Sequence, residues 1–165
     1  VYGEPKAQPR QRSFVLRGRG GLPILKDGKP IVRNYDPHTA EGWKSQIAEA
    51  AQDLAPSEPI AVPISLSINL LFARPKRLCR VSDPKGRLPH PGKPDRDNCE
   101  KAIADALKVL GFFVDDGQIY KGPIEKYYVA IGERPGAEIR MSWVDDAQTK
   151  LLARKPRREA QAAHF

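Results

Sequence analysis

Pro94-Asp95-Arg96-Asp97-Asn98-Cys99-Glu100-Lys101-Ala102-Ile103-Ala104-Asp105-Ala106-Leu107-Lys108-Val109-Leu110-Gly111-Phe112-Phe113-Val114-Asp115-Asp116-Gly117-Gln118-Ile119 is the stretch on which the reading of this chain turns. Asp97 stands where a helix cap would, and Glu100 three residues on completes a capping-box spacing. Cys99, Ala102, Ile103, Ala106, Leu107 and Leu110 recur at helical spacing and define one apolar face. Gly111 supplies the residue that tolerates φ > 0 at a helix C-terminus. Phe112-Phe113-Val114 then reads as a short buried strand that delivers Asp115-Asp116 at its end. A helix of this length with a short return strand brings residue 116 back beside the helix start.

Working outward, Ile64, Leu66, Ile68, Leu70 and Phe72 alternate with Ser65, Ser67 and Asn69, the pattern of a half-buried strand. Upstream, Asp36-Pro37 predicts a helix start, and Ala40, Trp43, Ile47, Ala50, Ala51 and Leu54 predict an amphipathic helix over about 37–54, ended by Ala55-Pro56. Residues 13–19 read as a first strand, and 22–32 as a hairpin turning at Asp27-Gly28. Residues 73–94, with five prolines and many cations, read as a long loop. Two further strands are expected over 119–131 and 137–144. The pattern is α+β, a small mixed β-sheet packed by two main helices. It divides into a flexible segment 1–12, a domain over 13–144 and a basic tail 145–165 that is either a marginal helix or without structure.

The composition narrows the function. Of 165 residues, 40% are hydrophobic, enough for a core. No apolar run approaches the roughly 20 residues that span a bilayer, and the start lacks the apolar stretch of a secretory signal. Cys79 and Cys99 fit neither a disulfide framework nor a zinc site. A soluble protein with no membrane partner is expected. The net charge of +8 points to a polyanionic partner or a merely basic surface. The cations Arg74, Lys76, Arg77, Arg80, Lys85, Arg87 and Lys93 run directly into the acidic cluster Asp95-Arg96-Asp97. Cations around a compact anionic spot suit a site that holds a phosphate backbone and a metal ion together.

Asp95 and Asp97 are two apart on backbone entering a helix, which puts both carboxylates on one side. With Asp116 they would repel one another unless a cation binds. Hard oxygen ligands favour Mg²⁺ or Mn²⁺. Lys101 follows Asp97 by four residues on the same helix face, where it could neutralise the cluster or counter charge on a phosphate. Asp105 continues that face and could orient Lys101. Each piece alone also has an ordinary role: Asp97 a cap, Asp95 and Asp115-Asp116-Gly117 turn residues, Lys101 and Asp105 a surface pair.

The elements Pro94-Asp95-Arg96-Asp97-Asn98-Cys99-Glu100-Lys101, then Asp105-Ala106-Leu107, then Asp115-Asp116-Gly117-Gln118-Ile119 resemble the RusA family of Holliday junction resolvases, which are bacterial and phage endodeoxyribonucleases. The pattern is dense over about 94–119 and looser over roughly 13–144. The resemblance implies a RusA-like fold, a homodimer, and Asp95, Asp97 and Asp116 as metal-binding catalytic carboxylates. It implies Lys101 as the catalytic lysine, with Asn98 organising the helix start and Asp115 as the second member of the Asp pair, beside the support that spacing assigns to Asp105. Mg²⁺ is the implied cofactor, with Mn²⁺ able to substitute, and four-way or other branched DNA the implied partner of a cytoplasmic protein, acting at a bacterial nucleoid or phage-encoded. A fork or flap nuclease and a catalytically silent DNA-binding protein are the alternatives. Cys99 stands where the family usually has Leu, a small hydrophobe on the apolar face. Further expectations are a solvated loop His90, with His38 and His164 incidental, and core positions for Trp43, Trp143, Phe112 and Phe113.

Overall fold

In the computed structural model, which describes residues 1–35 and 37–144, the elements run β1 (Arg12–Val15), β2 (Leu25–Lys26), β3 (Lys29–Pro30), β4 (Val32–Tyr35), α1 (Glu41–Ala51), β5 (Ile64–Phe72), β6 (Leu88–Pro89), α2 (Arg96–Val109), β7 (Ile119–Lys121), β8 (Ile124–Tyr128) and β9 (Gly136–Trp143). Asp36 and residues 145–165 lie outside the described residues, and with them the expected helix cap and basic tail.

β5 is the centre. Its alternation of apolar and polar residues buries Ile64, Leu66, Ile68, Leu70 and Phe72 on one face, as a period of two requires. β7 and β8 pair parallel to β5 along one edge, and β9 pairs antiparallel along the other. β6 extends the sheet beyond β8. The parallel pairing needs a crossover, which α2 supplies. α2 lays Cys99, Ala102, Ile103, Ala106 and Leu107 into the core beside Trp43 and Ile47 of α1. The result is the expected mixed sheet with two helices. Gly111 (φ 80°) ends α2 with paired bonds: its N–H reaches the Lys108 carbonyl at 2.9 Å, and the Phe112 N–H reaches Leu107 at 3.1 Å.

Several expectations are corrected. α1 begins at Glu41 rather than near 37, and a 3₁₀ turn at Gln52–Leu54 turns Leu54 off the apolar face, so that it is 74% exposed. Phe112 and Phe113 are buried as expected, but they form a single bridge to Ile60 rather than a strand. Trp143, expected in the core, sits at the far end of the sheet opposite Ile64 and is 58% exposed. His90 is no solvated loop residue. It packs between the Phe72 and Tyr128 rings at 4.5 and 4.4 Å, with its Nδ1 buried. The start of the chain, expected to be loose, is pinned. Val1 and Ala137 exchange backbone hydrogen bonds at 3.0 Å, the Gly3 N–H bonds to the Pro135 carbonyl, and Pro5 is fully buried. These residues find partners on the otherwise open edge of β9.

The expected strand over 119–131 is broken in two at Gly122-Pro123. Gly122 has φ 153°, and a Cβ there would lie 1.8 Å from the Leu66 carbonyl oxygen. The chain passes so close to β5 that no side chain fits, and the Pro123 carbonyl accepts from the Ile68 N–H at 2.9 Å. Gly122→Ala is expected to destabilise the protein by about 3 kcal/mol, because backbone rather than a flexible side chain must give way. Urea unfolding measures it, and an unchanged midpoint would contradict the close approach.

Candidate active site

The acidic residues are presented by two turns. Asp95 is the N-cap position of α2, in extended conformation (φ −68°, ψ 141°), and its carboxylate makes no capping bond. The helix therefore starts two residues earlier than the capping-box spacing implied, and Asp97 lies in its first turn, where the helix dipole favours an anion. The approach to Asp95 is held by Lys126 of β8, whose ammonium donates to the Pro94 carbonyl at 2.7 Å and also to that of Gly92. On the other side, the Asn98 carbonyl accepts from the Gln8 N–H at 2.8 Å.

The second turn is a 3₁₀ helix at Asp116–Gln118. It, not the start of α2, carries a capping box. Asp115 Oδ1 accepts from the Gly117 N–H at 2.8 Å, and Gln118 Oε1 accepts from the Asp115 and Val114 N–H groups at 2.8 and 2.9 Å. The Gln118 amide then donates to the carbonyls of Ile60 and Val62, both at 2.9 Å. One side chain thus ties the Asp115-Asp116 turn to the segment leading into β5.

Asp97, Glu100, Lys101 and Asp116 line one open cavity of about 300 Å³, with Ala104 and Ile119 as its apolar wall. The crossover has brought Asp116 to the face of α2 that carries Asp97 and Lys101. Asp95 does not line this cavity. Among the described residues no three His, Cys, Asp or Glu side chains are gathered closely enough to hold a metal ion. The expected convergence of three carboxylates is therefore not formed here. Asp116 instead lies 3.7 Å from the Lys108 ammonium, which also pairs with Asp115 at 3.0 Å. Asp105, expected to orient Lys101, pairs with Lys44 of α1 at 3.7 Å. The donor set itself fits a hard divalent cation: carboxylates with a neighbouring ammonium and no soft ligand. The one thiol nearby, Cys99, is buried, and burial pushes its pKa up to about 11. Partial burial, reinforced by Asp97 and opposed by Arg96, also raises the Glu100 carboxyl above its usual range.

The sequence reading missed Glu100 as a cavity residue, although its spacing of three from Asp97 places it on the same face. It also missed Lys108, Gln118 and Lys126. Nothing in the local patterns of Lys108 and Lys126 marks them, because their partners come from other elements. Gln118 stands in the quoted motif, and its spacing of three from Asp115 is the local signal for its capping role.

A profile of the family described as Endodeoxyribonuclease RusA matches residues 3–142. The chain belongs to this family. It is also 30% identical over 144 residues to the uncharacterized protein YqaN of Bacillus subtilis (strain 168), an alignment covering 84% of this chain and 90% of that protein. Membership in a family of endodeoxyribonucleases supports a nuclease role in DNA recombination. Among the described residues no helix is long and apolar enough to cross a membrane.

The loop cations expected to contact DNA fall into two groups. Arg74 is committed to the fold: its guanidinium donates to the carbonyls of Val129 (2.9 Å), Pro84 (2.7 Å), Leu78 and Gly86. Lys85 donates to the Arg80 and Val81 carbonyls. Arg87 grips Glu133 with Nε at 3.0 and 3.1 Å from its two oxygens, and also bonds Glu138. A loop rich in proline lacks backbone donors, so side chains satisfy its carbonyls. Lys76, Arg77, Arg80 and Lys93 have no ion-pair partner among the described residues.

Two predictions follow from these ties. Gln118→Ala, which strips the partners from the Ile60 and Val62 carbonyls and from the Val114 and Asp115 N–H groups, is expected to cost about 2 kcal/mol and to speed amide exchange at Val114 and Asp115. Equal exchange in both proteins would remove Gln118 from this role. Hydrogen bonds from Arg87, then Asn69, hold the Glu138 carboxyl at about 2, below its ordinary 4.5. A depressed carboxyl pKa stabilises the fold above the ordinary value, and this is lost as pH falls from about 4.5 toward 2. Because Glu138 is 42% exposed and screened, Arg87→Met is expected to lower stability by only about 1 kcal/mol at pH 7. The gap should close near pH 2, and a pH-independent gap would point to packing rather than charge.

Proposed function

We propose that this protein is a Mg²⁺-dependent, structure-specific endodeoxyribonuclease that resolves four-way DNA junctions by paired nicks, with Mn²⁺ able to substitute. The observation that carries this reading is that Asp97, Lys101 and Asp116 share one cavity in a chain of the RusA endodeoxyribonuclease family. In this proposal Asp97 and Asp116 hold the cation, and Asp95 joins them by a side-chain reorientation at the helix start, where no capping bond restrains it. A bound divalent cation supplies Lewis acidity toward the scissile phosphate and an activated water nucleophile.

The chain's own residues do the rest. Asp97 and Asp116 would hold the cation that offsets their mutual repulsion and that of the phosphate. Lys101, exposed at the mouth of the cavity, counters the negative charge that builds on the phosphate oxygens during in-line attack. Lys108 holds the Asp115-Asp116 turn and offsets its charge when no cation is present. Two symmetric nicks on a junction with two-fold character call for a symmetric dimer, so the acting form is a homodimer.

Asp97→Asn and Asp116→Asn are each expected to lower junction cleavage by about a hundredfold or more while leaving junction binding intact or tighter. Cleavage of a synthetic mobile junction, mapped on all four strands, reads this directly. A variant that cuts at the wild-type rate in Mg²⁺ overturns the site. Competition among junction, fork, flap and linear duplex separates a resolvase from a broader branched-DNA nuclease. No nicking in either metal would leave a silent DNA-binding protein.

A further inference from the structure

Residues 10–35 form a β-ribbon that stands apart from the core. β1 pairs antiparallel with β4, and the chain doubles back through turns at Gly18–Gly21 and Asp27-Gly28, the latter in the left-handed conformation at both residues. No residue from Arg10 to Tyr35 is buried. A two-stranded ribbon without a hydrophobic face against a body is only marginally stable in water. Residues 10–35 nonetheless carry seven Lys and Arg side chains against one carboxylate, Asp27. None of these cations is ion-paired among the described residues.

One face of the ribbon is patterned. Arg12 lies directly opposite Tyr35, and Phe14 directly opposite Arg33. Facing residues and residues two apart share a face, so these four make a checkerboard of two aromatics and two guanidinium groups. Phe14 and Tyr35 meet edge to face, with centroids 6.0 Å apart, yet they remain 47% and 46% exposed. The opposite face carries Ser13 and Asn34, hydrogen-bonded to each other, and Val32. The ribbon's root is fixed beside the acidic cavity, because Gln8, two residues before it, is bonded to the backbone of Asn98 in the first turn of α2.

We propose that this ribbon is a DNA-gripping arm: Phe14 and Tyr35 stack on base faces exposed at a branch point or in a single strand, and Arg12 and Arg33 contact the flanking phosphates. Aromatic faces receive bases of any sequence, and arginines beside them hold the backbone. The net positive charge favours a polyanion over a second copy of this equally basic chain. The inference rests on the nuclease reading for its choice of branched DNA. It adds a second contact to the substrate, rooted at the first turn of α2 next to Asp97.

Equilibrium binding to a four-way junction, a single strand and a linear duplex, at two salt concentrations, tests it. Phe14→Ala/Tyr35→Ala is expected to weaken junction and single-strand binding about tenfold or more, and duplex binding less. Arg12→Gln/Arg33→Gln, which keeps the ribbon's aromatic contacts, is expected to weaken all three and to lower the logarithmic salt slope by about 1.5. Val32→Thr, on the opposite face, should bind as wild type. If both double variants bind all three DNAs like wild type, the arm is overturned. If they bind normally but lose a dimer seen in sedimentation, the ribbon joins two copies of the chain and the proposal is equally overturned. Wild-type protein that binds through the arm without nicking in Mg²⁺ overturns the nuclease reading and leaves the arm standing.

Discussion

The burial of the apolar face of α2 against β5 is the constraint on which the rest of this structure depends. β5 offers a continuous row from Ile64 to Phe72, and α2 answers with Cys99, Ala102, Ile103, Ala106 and Leu107. Apolar area removed from water in this way is the largest favourable contribution to the fold. It also sets the orientation of α2, so that the polar face with Asp97, Glu100 and Lys101 looks outward. The Schellman-type ending at Gly111 then reverses the chain, and the parallel pairing of β7 with β5 returns residue 116 to that same face. The candidate site is thus a by-product of core packing, with carboxylates carried on the solvent side of a buried element.

Charge is used in two ways on this basic chain. Some cations serve the fold. Arg74, Lys85 and Lys126 satisfy carbonyls of the proline-rich loop, and Arg87 ties that loop to Glu133 and Glu138. Lys108 offsets part of the charge of the Asp115-Asp116 turn. Others have no carboxylate partner among the described residues, and they concentrate on the β-ribbon and the outer loop. Net charge therefore overstates what is offered to a polyanion, and the distinction needs hydrogen-bond partners rather than counts.

The body and the ribbon differ in what holds them. The body is closed by a core that also recruits the first residues of the chain to the edge of β9. Among the described residues the ribbon is held by its own ladder, a few turn bonds and side-chain bonds such as that from Arg17 to the Gly21 carbonyl. Elements with few buried contacts open at low free-energy cost, which suits a segment that adapts to a ligand's shape.

Much of this was legible in the sequence. The alternation of 64–72, the heptad-like face of 99–110, the Gly111 cap and the Asp27-Gly28 turn are local patterns with local physical causes, and each appears where the residues placed it. The acidic motif likewise marked the helix start and the Asp115-Asp116 turn. Tertiary structure alone decided the rest. The capping box moved from Asp97/Glu100 to Asp115/Gln118, Asp105 turned to Lys44, Arg74 turned inward, Trp143 came to the surface and Gly122 split a strand. The Asp115/Gln118 box is itself a local spacing, and only the bonds from Gln118 to the Ile60 and Val62 carbonyls reach across the chain. The other changes depend on a neighbour distant along the chain, and local periodicity carries no information about which backbone carbonyl or carboxylate will arrive there. Residue types and spacings determined the elements and the chemistry available to them, whereas the closest approaches between elements decided which side chains were left to use it.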